Sequence, residues 1–120
     1  MKVLIVDDSR AMRMIVRRTL RQAGFEVDSV VEAENGARGL EQVEEHQPDL
    51  ILSDWNMPEM SGMQFLRAFK EAGGNTPFGF ITTESTPEMR AAASAAGALF
   101  ILSKPFTPEA MRATIAPHIM

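Results

Sequence analysis

A chain of 120 residues has room for one compact domain built on one hydrophobic core. Its net charge of −4 speaks against a surface given over to nucleic-acid binding, and the absence of cysteine removes disulfides, thiolate metal sites and cysteine nucleophiles together. No apolar stretch approaches the ~20 residues of a bilayer span and the opening MKVLIVDDSR is too short for a signal-peptide core, so a soluble, cytoplasmic protein with no membrane partner is expected.

The elements alternate. Lys2–Val6 is an apolar, β-branched run of the kind a buried parallel strand carries. Met12, Ile15, Val16, Thr19, Leu20 and Ala23 then recur at helical spacing, and Gly24 closes that helix. Five arginines (Arg10, Arg13, Arg17, Arg18, Arg21) and no acids lie between residues 10 and 21, while the rest of the chain has seven basic and sixteen acidic residues. A solvated helix face is the simplest account of the stripe, and docking to an acidic surface on a partner is the functional alternative. Val27–Val31 reads as the second strand and is followed by a helix to about Glu45, where Pro48 bars continuation. Asp49–Ser53 is the third strand; Ser61 can cap a third helix carrying Met63, Phe65, Leu66 and Phe69, ended by Gly73-Gly74. Phe78–Ile81 and Leu99–Leu102 complete the strands.

Thr86-Pro87-Glu88 and Thr107-Pro108-Glu109 each offer an N-cap, a proline at the first helical position and an acid suited to the helix dipole. The fourth helix is rich in alanine (Ala91, Ala92, Ala93, Ala95, Ala96), and the fifth is expected to stop at Pro117 after about two turns. With no linker or repeat in sight, residues 1–120 are expected to form a single domain without an effector domain. Strands alternating with helices imply an α/β fold, a parallel sheet covered on both faces, with ligands gathered beyond the carboxyl ends of the strands.

Those strand ends hold the unusual residues. Strand one runs into Asp7-Asp8, strand three into Asp54, strand four into Thr82-Thr83 and strand five into Ser103-Lys104-Pro105. Each has an ordinary explanation alone: a helix cap, a turn residue, strand filler, a surface lysine. Together they bring three carboxylates, a hydroxyl and an ammonium to one edge. Carboxylates that close repel, and a hard dication such as Mg²⁺, which prefers oxygen ligands, resolves the conflict.

VDDSR, SDWNMPEMSG, ITTE and SKPF, in that order along the whole chain, resemble the signatures of the receiver domains of two-component response regulators, most closely the single-domain CheY type. The resemblance implies a flavodoxin-like doubly wound sheet of strand order 2-1-3-4-5 with five helices. It implies a phosphoacceptor rather than an enzyme acting on an external substrate, taking a phosphoryl group from a histidine kinase or phosphotransfer protein onto Asp54. Asp8, Asp54 and the Asn56 carbonyl would hold Mg²⁺, Asp7 would orient a metal-bound water, and Lys104 and Thr82 would contact the phosphoryl group. Lys104-Pro105 resembles the family's cis peptide, which aims the lysine. Asn56 and Glu84 would overlook the hydrolytic water and tune how long the phosphate survives. A target protein would read the fourth helix, fifth strand and fifth helix; chemotaxis or motility is the output the CheY type suggests, and a monomer is expected.

One position departs from the family. Relatives carry an aromatic residue three before the strand-five lysine, and here that position is Ile101, with Phe100 one residue earlier and no tyrosine in the chain. Adjacent strand residues face opposite ways, so Phe100 is not a simple replacement, and the switch involving Thr82, Ile101 and Pro105 must work differently. Two rival readings are a Mg²⁺-dependent aspartate-nucleophile phosphohydrolase and a binding-only pseudo-receiver. The first lacks an Asp-x-Asp motif after strand one, since Asp7-Asp8-Ser9 stands there, and the second sits badly with a complete acidic, Thr and Lys set. Trp55, beside Asp54, is expected to be a half-exposed lid.

Overall fold

Five strands and five helices alternate: β1 (Lys2–Val6), α1 (Arg10–Gln22), β2 (Ser29–Ala33), α2 (Gly36–His46), β3 (Leu50–Asp54), α3 (Gly62–Glu71), β4 (Phe78–Thr82), α4 (Pro87–Ala96), β5 (Phe100–Ser103) and α5 (Pro108–Ile119). The computed structural model describes residues 1–120. All strand pairs are parallel and the sheet order is β2-β1-β3-β4-β5, the flavodoxin-like order.

The helices begin where the capping residues dictate. Ser9, Asn35, Ser61, Thr86 and Thr107 each accept a hydrogen bond from the backbone N–H three residues on, satisfying a donor that the first turn leaves free. Ser61 and Gln64 form a full capping box. Gly97 ends α4 at φ 106°, a left-handed conformation that costs glycine nothing.

Strand alternation sorts the apolar residues into two cores. Val3, Ile5, Leu50, Leu52, Ile81, Phe100 and Leu102 pack against Val16 and Leu20 of α1 and Met111 and Ile115 of α5. Leu4, Val6, Ile51, Phe78, Phe80 and Ile101 face the other way, onto Met63, Phe65, Leu66 and Phe69 of α3 and Ala93 of α4. The buried faces stabilise the sheet by roughly 25 cal/mol per Å² of apolar surface removed from water.

Several expectations shift. The second strand is Ser29–Ala33 rather than Val27–Val31, because Lys2 to Val6 pair with Ser29 to Ala33, and Glu32 fits this edge strand by turning to the arginines of α1. The third strand runs one residue further and includes Asp54, which pairs with Ile81, and the fifth starts at Phe100, leaving Leu99 exposed. Finally, α5 does not stop at Pro117 but carries it inside the helix. Proline there removes the hydrogen bond to the carbonyl of exposed Ala113, which water can serve, so the penalty is smaller than in a buried helix. Of the alanines of α4 only Ala93 is buried, which fits simple close packing of that helix on the sheet.

Candidate functional site

Parallel strands end on one edge, so the residues after β1, β3, β4 and β5 meet there. Asp7 is almost fully buried, at 4% exposure, unusual for a carboxylate. Its Oδ1 accepts the Ser9 N–H at 2.8 Å, its main-chain N–H donates to the Ala33 carbonyl at 3.0 Å, and its Oδ2 lies 3.4 Å from Lys104 Nζ. Asp8 is exposed beside it. From β3, Asp54 Oδ1 accepts the Trp55 N–H at 2.8 Å and lies 3.5 Å from Lys104 Nζ. One carboxylate oxygen from each of Asp7, Asp8 and Asp54 lies within 4.8 Å of the others.

The backbone around Asp54 is tightly held. Ser53 Oγ donates to the Asp54 carbonyl at 2.9 Å, and the Gly62 N–H at the start of α3 donates to the Trp55 carbonyl at 2.8 Å. A Cβ on residue 62 would lie 2.2 Å from the Asp54 carbonyl oxygen, so only glycine lets α3 approach this closely. On the far side, the Lys104 N–H donates to the Thr82 carbonyl at 2.8 Å, and the Lys104-Pro105 peptide is cis. Thr82 is fully buried, with its hydroxyl accepting the Glu84 N–H at 3.4 Å. Asn56 and Glu84 are both exposed on the loops that flank the cluster.

Two of the three carboxylates, Asp7 and Asp54, thus share one ammonium. Burial pushes the Asp54 carboxyl above its ordinary range and the charge of Asp7 adds to the push, while Lys104 and the Trp55 N–H pull the other way without prevailing. An all-oxygen donor set with uncompensated negative charge fits a hard divalent cation and offers nothing to a soft one.

The sequence matches the response regulator receiver domain over residues 3–116. The chain belongs to that family. It is 39% identical to the chemotaxis protein CheY of Bacillus subtilis (strain 168), across 90% of this chain and 88% of that one. It is 37% identical to the chemotaxis protein CheY1 of Helicobacter pylori (strain ATCC 700392 / 26695), across 93% and 91%. Among solved structures it is similar to the chemotaxis response regulator CheY4 of Vibrio cholerae, with a TM-score of 0.85 at 37% identity, covering 99% of this chain and 98% of that one. This receiver is therefore of the CheY type, a phosphoryl-accepting signalling module of two-component systems, and receivers of this type interact with histidine kinases or phosphotransfer proteins.

The receiver brings together Asp7, Asp8, Asp54 and Lys104, with Thr82, Asn56, Glu84 and Pro105 around them. Ile101 and Phe100 face opposite sides of the sheet, as strand alternation requires. Phe100 lies over Gly79, where a Cβ would meet its ring at 2.0 Å, and stacks on His118; Ile101 pairs in register with Phe80. Trp55 is half-buried and packs its ring on Phe80, with centroids 4.7 Å apart, so the aromatic mass near Asp54 comes from β4 and from the residue that follows β3. Sequence reading missed the Ser53 and Arg13 hydrogen bonds to main-chain carbonyls, since neither belongs to a motif. No helix is long and apolar enough to cross a membrane.

Proposed function

We propose that Asp54 accepts a phosphoryl group from the phosphohistidine of a partner kinase or phosphotransfer protein, with Mg²⁺ held by Asp8, Asp54 and the Asn56 carbonyl. The observation that supports this best is the meeting of Asp7, Asp8 and Asp54 within 4.8 Å around a single lysine. An Asp54 carboxylate oxygen attacks phosphorus, the new P–O bond forms as the P–N bond breaks, and the imidazole departs with the electron pair. Such a transfer asks for alignment and charge stabilisation more than covalent machinery.

Asp54 is aligned by the Trp55 N–H on Oδ1 and by the fixed peptide behind it. Lys104, poised between Asp7 and Asp54, turns to a phosphoryl oxygen once Asp54 is esterified. Thr82 accepts from Glu84 and so keeps its own proton to donate to the phosphoryl group. Asp7, nearly buried and fixed by Ser9, would orient water at the cation. A cation held there would supply neutralisation of the phosphoryl oxygens.

A phosphoryl group adds roughly −1.5 to −2 charges, enough to draw Thr82 and the loop after it inward and bias a two-state equilibrium. The switch uses Thr82, Ile101 and Lys104-Pro105 without an aromatic at position 101. Residues 1–120 act as a monomeric receiver, signalling in chemotaxis or motility through a protein docked on α4, β5 and α5. Exposed Asn56 and Glu84 tune autodephosphorylation.

Incubation with acetyl phosphate or a generic histidine kinase, with and without Mg²⁺, followed by intact mass, tests the reading. Wild type gains one phosphoryl group only with Mg²⁺, and Asp54→Asn gains none; label that persists on Asp54→Asn sinks the assignment. In the same assay, replacing Asn56 and Glu84 together by alanine changes the phosphate half-life several-fold. An unchanged half-life removes their tuning role.

A further inference from the structure

Arg13 is not the solvated arginine that the stripe on α1 suggested. Its side chain is only 15% exposed, with Nε 2.8 Å from Glu32 Oε1. Its Nη1 donates to the main-chain carbonyl of Asp7 at 2.6 Å. Arg17 also reaches Glu32, but at 3.4 Å and with 41% of its side chain exposed, and it has no bond to Asp7. Glu32 is itself anchored in β2, opposite Ile5, and its carbonyl accepts Gln42 Nε2 at 3.1 Å. The guanidinium therefore ties three elements together: α1, β2 and the turn that leaves β1.

The Asp7 carbonyl belongs to the Asp7–Asp8 peptide. Fixing that oxygen fixes the peptide plane and, with it, the directions in which two of the three clustered carboxylates leave the backbone. The Ser9 N–H on Asp7 Oδ1 then sets the side chain within that frame. We propose that Arg13, braced by Glu32, is a positioning residue that holds Asp7 and Asp8 in register with Asp54 for the divalent cation. This rests on the cation-site reading above and extends it to a residue outside the cluster.

The sign of its effect separates this role from plain electrostatics. A guanidinium close to a cation site repels the cation, so removing it strengthens binding if charge is all that matters. If Arg13 positions the ligands, removing it weakens binding. A planar fork that bridges two acceptors is also poorly replaced by a lysine, which is a point donor.

The test uses the full chain and Mg²⁺ as the probe, titrated by the fluorescence of Trp55, the one tryptophan, whose main-chain N–H donates to Asp54. Arg13→Met is expected to weaken Mg²⁺ binding about tenfold, while Arg17→Met leaves it unchanged or tighter. Amide hydrogen exchange at Ser9 in cation-free protein is expected to speed up in Arg13→Met and not in Arg17→Met. Should Arg13→Met fail to fold, Arg13→Lys keeps the charge and is expected to weaken binding severalfold. Mg²⁺ binding as tight as wild type or tighter in the Arg13 variant, or unchanged Ser9 exchange, overturns the proposal. If wild type itself binds no Mg²⁺, the cation-site reading has failed, and the positioning claim is decided by Ser9 exchange alone.

Discussion

At the amino ends of the strands charge is settled one group at a time, whereas at the carboxyl ends two of three clustered carboxylates share one ammonium. Lys2 Nζ donates to the His46 carbonyl at 2.9 Å, the Asp49 carboxylate accepts the Lys2 N–H at 2.7 Å, and the terminal ammonium of Met1 rests on Asp28. Asp28 is accordingly held below the ordinary carboxyl range by its hydrogen bond and charge contact with that ammonium, while burial pushes Asp54 above it. The amino end also has an open groove between α2 and α3, of about 570 Å³, lined by Leu40, Val43, Gln47, Phe69 and Asn75 among others. This groove and the acidic cluster thus occupy opposite ends of the sheet. Uncompensated charge, rather than the groove, is what marks the functional end.

Glycines at the two ends offer the harshest way to break that contrast. Gly62 lies against the Asp54 carbonyl and Gly73, at φ 88°, has open space around it. Gly62→Ala must force α3 away from β3 and is expected to cost roughly 2–3 kcal/mol by urea unfolding, as overpacking does. Gly73→Ala meets only the penalty of a left-handed backbone, about 1 kcal/mol. Equal losses at the two positions would mean that the carboxyl end is no more tightly built than the other.

The strand-end cluster was legible because the fold fixes which chain positions meet, and Asp7, Asp8, Asp54, Thr82 and Lys104 occupy them. Element order and the caps were legible for local reasons, since Thr86-Pro87 and Thr107-Pro108 state their helix starts within three residues. What could not be read depended on partners distant in sequence. The bounds of β2 follow from pairing with β1, and Val27 falls outside because Lys2 pairs with Ser29. Arg13 looked like its neighbours in the stripe, and only its bond to the Asp7 carbonyl, braced by Glu32 nineteen residues later, distinguishes it. Pro117 was misjudged because a proline's cost depends on whether the orphaned carbonyl faces water, which is a property of the folded surface.

Charge removal at the two ends should act with opposite signs. The folded Asp54 carboxyl holds its proton to higher pH than the unfolded one, whose ordinary value is 3.8. In the window above that value the folded state binds more protons than the unfolded, so stability falls as pH rises through it, and the penalty is complete once the pH has passed the folded value. Asp54→Asn cannot ionise and escapes the penalty. With a chelator present at pH 7 it is expected to be more stable than wild type by on the order of 1 kcal/mol after solvent screening, measured by urea unfolding. The advantage should fade as pH falls below the ordinary carboxyl range, where wild type is protonated in both states. Equal stability at pH 7 would deny that the carboxyl end is under electrostatic strain.

Asp28 runs the other way and gives the smallest effect. Its folded value is depressed by the Met1 ammonium, so its contribution is present above the unfolded value of 3.8 and is lost as pH falls through the folded one. The pair is open to solvent, with the Asp28 side chain 84% exposed, so salt screens it heavily. Asp28→Asn is therefore expected to lower the melting temperature slightly at pH 7 in low salt. The difference should vanish in about 1 M salt, where the Debye length shrinks to roughly 3 Å, and again at strongly acid pH. A rise in melting temperature would place Asp28 in the same class as Asp54. The contrast between locally paired and shared charge would then lose its amino-end half.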